Sequence, residues 1–140
     1  MIATTPRAQA VLASWDATAR THALWSVAWD FVFMCTYGLW MSRLARYGGH
    51  RLASRSRIVS GWAGIAAGAA WVGVALDGVE NVALLVVLLH STAQPWPAIA
   101  TVAASLKFFC LICCLFYGLT ALLAAMMPED EGLQVRPPRP

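Results

Sequence analysis

The sequence predicts an all-α fold, a polytopic bundle of transmembrane helices, and three observations predict it. Residues 58–127 hold seventy positions and only three charged side chains: Asp77, Glu80 and Lys107. The whole chain of 140 residues is 59% hydrophobic and 12% charged, where soluble domains carry about 25% charged residues. A soluble fold of this length would expose large apolar patches. The remaining charge is segregated: residues 43–57 carry Arg43, Arg46, Arg51, Arg55 and Arg57 with no acid. Such clusters mark the cytoplasmic side of a membrane protein. A formal net charge of +3, gathered this way, speaks of topology and excludes a nucleic-acid surface.

Residues 1–22 read as an N-terminal interfacial or solvent segment. Pro6 opens a short helix over 7–19 with one weak apolar face of Val11, Leu12 and Trp15. The transmembrane domain follows over 23–127. Its first span covers about 23–42, with Trp25 and Trp29 near one end and Trp40 near the other, as interfacial aromatic belts require. The Arg-rich segment 43–57 is then a cytoplasmic loop, which places the N-terminus outside. The composition and orientation fit a bacterial cytoplasmic membrane.

The second span starts at Ile58 and is dense in small residues. Gly61, Gly64 and Gly68 lie on one helical face, and small residues let helices approach closely in lipid. That face predicts tight packing within the protomer, with a homo-oligomer interface as the alternative. Residues 58–94 are too many for one ordinary span and barely enough for two. The favoured arrangement has four spans, at about 23–42, 58–77, 79–94 and 107–127, with a turn near Asp77-Gly78 and the C-terminus outside. The alternative has three. One long helix runs from Ile58 to about His90, turns at Gln94-Pro95-Trp96-Pro97, and returns to Met127. Only that hairpin lets Glu80 and Lys107 meet, each roughly 15 Å below the turn. The tail 128–140 is polar and proline-rich and is predicted to be disordered.

Charged groups at membrane depth cost about 2.5–3.5 kcal/mol each on insertion scales, so they usually pair or do a job. Asp77, Glu80 and Asn81 share a helix face at i, i+3 and i+4. Two carboxyls and an amide can share a proton, hold a cation or bind a polar headgroup; capping a helix end is the plainer reading. Asp30 stands in the middle of the first span, with Phe33, Met34 and Tyr37 on its face. Tyr117, Lys107 and the 77–81 group are its candidate partners. Lys107 either balances these acids or, in the four-span arrangement, snorkels to the interface. Asp30, Asp77 and Glu80 are thus candidate catalytic acids, and Asn81, Lys107, Tyr37 and Tyr117 candidate binding residues.

Cys35, Cys110, Cys113 and Cys114 all lie in apolar runs and read as packing residues. His22, His50 and His90 are far apart. No metal site, cofactor motif, nucleotide loop or nucleophile elbow is present. The functional expectation is a small membrane protein with a polar site that binds or transforms a hydrophobic small molecule or handles protons. An accessory subunit of a larger membrane complex is the alternative. The size, the four spans and a carboxylate in the first helix, Asp30, are similar to the small multidrug-resistance transporters. That resemblance in architecture implies proton-coupled efflux. The five-Arg segment and the extra acids at 77 and 80 depart from that family's pattern.

Overall fold

The computed structural model describes residues 4–53 and 56–127. Every regular element among them is helical: α1 (Thr5–Ala13), α2 (Ala17–Leu52), α3 (Arg57–Gly61), α4 (Ala63–Leu89) and α5 (Trp96–Met126). The predicted tail 128–140 lies outside the described residues.

The expected helix over 7–19 is two elements. α1 ends at Ala13, and the Asp16 carboxylate caps α2 by accepting from the Ala19 N–H at 2.7 Å. An aspartate there satisfies a helix-start amide that nothing else reaches.

α2 then runs for 36 residues and carries Arg43, Arg46 and Arg51 on its surface. The segment expected as a cytoplasmic loop is therefore helical over its first ten residues. Its small and apolar positions keep helical spacing past Arg43: Met41, Ala45, Gly48, Gly49 and Leu52 are all buried. Continuing the helix buries that stripe, with Arg43 opposite it and Arg46 and Arg51 exposed along its flanks.

The turn expected at Asp77-Gly78 is absent. α4 passes through both residues without a break, and no described glycine has positive φ. Asp77 does not cap a helix end; its carboxylate is taken up by Tyr37 and Lys107, as set out below. The separate spans 58–77 and 79–94 are thus one helix, preceded by the short α3. The chain reverses over 90–95, through a cis Gln94-Pro95 bond. Residues 58–127 form the long hairpin.

α4 and α5 pack antiparallel, and α2 lies against both. α2 is parallel to α5: Met41, Leu44 and Gly48 meet Cys114, Gly118 and Ala121 in step. The interfaces are built from alanine and glycine. Ala45, Ala66, Ala67, Ala70, Met41 and Cys114 make the core cluster. A Cβ added at Gly48 would stand 2.5 Å from that of Ala121, and one at Gly38 would overlap Val74. Gly61, Gly64 and Gly68 are different: an added Cβ on any of them meets nothing within 4 Å. The stripe expected to pack inside the protomer faces outward.

The exterior is apolar. Trp25, Trp29, Phe33, Trp40, Ile58, Ile65, Phe109, Ile112, Phe116 and Leu123 are among the exposed large side chains. Two helical stretches, Arg57–Leu89 and Trp96–Ala124, are long and apolar enough to cross a membrane. Only 33% and 28% of their most apolar windows are buried, whereas the core helix of a soluble protein is mostly buried.

Candidate functional site

Each long helix contributes a polar group at mid-length. Asp77 lies fourteen residues from the start of α4 and twelve from its end, so it is about 20 Å from either terminus. The antiparallel hairpin puts Lys107 of α5 opposite it. The Lys107 Nζ donates to Asp77 Oδ1 at 2.7 Å and lies 2.5 Å from Glu80 Oε2. Both Asp77 and Lys107 are buried, at 2% and 8% exposure. Lys107 is not a snorkelling interfacial residue; one ammonium bridges two carboxylates one turn apart on α4. The Asp77 contact is a hydrogen bond and the Glu80 contact an ion pair without hydrogen-bond geometry; buried ions are tolerated when paired.

α2 supplies the rest. Tyr37 donates its phenolic proton to Asp77 Oδ2 at 2.7 Å, so both Asp77 oxygens are occupied. One helical turn away in α4, the Asn81 amide donates to Asp30 Oδ2 at 2.9 Å. Asn81 is buried, with 2% exposure. Asp30, Tyr37, Asp77, Glu80, Asn81 and Lys107 are therefore one constellation drawn from three helices. Tyr117 is not part of it. Its hydroxyl donates to the Val59 carbonyl at 3.1 Å, tying α5 to α3 toward the other end of the bundle.

The constellation opens on a cleft of about 400 Å³ between α2 and α5. Asp30, Tyr37, Asp77 and Lys107 form its polar side, and Phe33, Trp40 and Phe108 its aromatic walls. All three of these wall residues are more than half exposed. Phe33 and Tyr37 stack at a tilt with centroids 5.5 Å apart, and the Lys107 Nζ lies 5.1 Å from the Phe108 centroid. Sequence reading did not assign Trp40 and Phe108 to a site. The signal for Trp40 was present: 30, 33, 37 and 40 recur at three- and four-residue intervals, one stripe of a helix.

The cysteines stay apart from this chemistry. Cys114 is buried with its Sγ 3.8 Å from the Met41 carbonyl, Cys110 is half-buried, and Cys35 and Cys113 are exposed. Among the described residues no group of three or more His, Cys, Asp or Glu is placed to hold a metal ion.

Three acids and one base in an otherwise apolar bundle can hold protons, a cation or a polar headgroup. No family model matches the chain, and no curated protein or solved structure matches it.

Proposed function

We propose that this chain is an integral membrane protein whose three long helices cross the bilayer, and that the cleft at Asp30, Tyr37, Asp77 and Lys107 binds a hydrophobic small molecule. One observation carries the reading: a hydrogen-bonded ionic cluster at the mid-length of apolar helices borders an open, aromatic-walled cleft. A purely structural ion pair needs no such cleft. The carboxyls outnumber the ammonium three to one, so the ligand or the protons bound with it supply positive charge. The aromatic walls supply apolar area and cation–π capacity. The proposal carries an orientation too. With residues 43–57 at the cytoplasmic face, the N-terminus lies outside and the turn over 90–95 outside.

Native mass spectrometry of the protein, released gently from its own membrane, tests the reading. A reproducible small-molecule adduct other than a phospholipid is expected on the wild type and lost in Asp30→Asn, which keeps the shape of the side chain that faces Asn81. An adduct-free protein, or one whose adduct survives both Asp30→Asn and Tyr37→Phe, contradicts it.

A second reading has its own observation. The face of Gly61, Gly64 and Gly68 is unused within the protomer, which favours assembly with a second copy or with other membrane subunits. In that case the same spectra record the protein bound to another chain.

A further inference from the structure

A second cleft lies at the far end of the bundle from the ionic cluster's Asp30. Arg46, Gly49, His50 and Ala53 fall at intervals that share one face of α2, and Ser60 and Ala63 close the cleft from α3 and α4, around about 280 Å³. Its lining from α2, α3 and α4 is small at Gly49, Ala53, Ser60 and Ala63, and the Tyr117 hydroxyl lies 3.5 Å from where a Gly49 Cβ would stand. A Cβ at Gly49 would overlap that of Ala63 and come within 3.4 Å of the Ser60 carbonyl. The Ser60 hydroxyl donates to the Arg57 carbonyl at 3.0 Å, so it does not serve the cleft as a donor. The donors left are the Arg46 guanidinium and the His50 imidazole, both exposed.

Among the described residues the charge around this cleft is of one sign; Glu129, Asp130 and Glu131, which follow α5 in the sequence, lie outside them. Residues 43–57 contain five arginines and no acid. The packed elements supply no acid either: α4 has no charged residue before Asp77, and α5 has none after Lys107. Arg51 is engaged by Tyr47, through its hydroxyl at 3.1 Å and its ring. The helix that closes the cleft bears exposed apolar side chains, Ile58 and Val59, with Trp62 just beyond. A cationic cleft beside an apolar surface fits an amphiphile with an anionic head. Basic pockets between helices at the cytoplasmic face are where anionic headgroups bind.

We propose that the Arg46–His50 cleft binds the phosphate of an anionic phospholipid headgroup. Arg46 offers a forked, charge-assisted pair of N–H donors to the phosphate oxygens, His50 adds a third donor, and the acyl chains run along the apolar face beside Ile58. The inference rests on the membrane placement proposed above but not on the ligand of the Asp30 cleft.

The test uses the full chain in neutral detergent micelles, titrated with phosphatidylglycerol, phosphatidylcholine or soluble glycerol phosphate. Thermal unfolding and lipid retention by native mass spectrometry are the readouts. Phosphatidylglycerol is expected to be retained and to raise the unfolding temperature, and the other two are not. Arg46→Gln is expected to weaken phosphatidylglycerol binding roughly five- to tenfold, as loss of one cation near an anionic headgroup predicts. Arg57→Gln removes the same charge outside the cleft and is expected to leave binding nearly unchanged. Equal weakening by the two variants would reduce the effect to diffuse charge and overturn the site. Glycerol phosphate binding as tightly as the lipid would overturn the lipid as its occupant, and equal retention of phosphatidylcholine would overturn the phosphate-charge argument. Asp30→Asn is expected to leave phosphatidylglycerol binding intact, so failure of the Asp30 cleft and failure of this one are separable.

Discussion

Lys107 holds two carboxylates at once, and its removal strands both. Lys107→Met is expected to cost about 3–5 kcal/mol of stability, because breaking a buried pair leaves uncompensated charge. Adding Asp77→Asn and Glu80→Gln to that variant is expected to recover most of the loss, measured by reversible unfolding in micelles. If the triple variant is no more stable than Lys107→Met, the ammonium does not serve these two acids. Tyr37→Phe removes one hydrogen bond to Asp77 and is expected to cost about 1–3 kcal/mol in the same assay. Most members of the cluster were legible in the sequence, since a polar side chain in seventy nearly uncharged residues stands out. Their pairing was not. It depends on whether the chain turns at Gly78, and glycine is as compatible with a membrane helix as with a turn. Tyr117 was misassigned because depth was ignored: it lies ten residues along α5 from Lys107, about 15 Å away along the axis.

Between elements, the glycines separate two kinds of close approach. Gly48 is pressed against Ala121 and Gly49 against Ala63, so the α2 contacts rest on positions without a Cβ. Gly48→Leu is expected to prevent α2 from docking and to give a protein that aggregates or is degraded on expression. Gly64→Ala has no neighbour to meet, and alanine favours a helix by about 0.8–1.0 kcal/mol over glycine. That variant is expected to unfold at the same or higher temperature as a monomer. A fall in its stability would reveal that another chain covers the 61–64–68 face. The sequence pointed to this stripe and missed the glycines of α2. The reason is the reading of 43–57 as a loop: clustered arginines report the side of the membrane, not the end of a helix. The stripe from Met41 to Leu52 was visible at helical spacing beneath them.

For the molecule as a whole, the all-α class was legible from composition and hydropathy alone. The number of long helices was not. Seventy nearly uncharged residues divide equally well into two long helices or three short ones, and the division is set by contacts far apart in sequence, chiefly Asp77 with Lys107 and Tyr37. Three long helices place the start of α2 and the end of α5 at opposite ends of the bundle. In the proposed membrane bundle these helices cross the bilayer and carry the cluster within it. Paired reporters at the two ends of the chain, one active only outside and one only in the cytoplasm, test it most directly. An N-terminus outside and a C-terminus in the cytoplasm are expected. Both ends on one side would mean an even number of crossings and would contradict the three-helix membrane bundle.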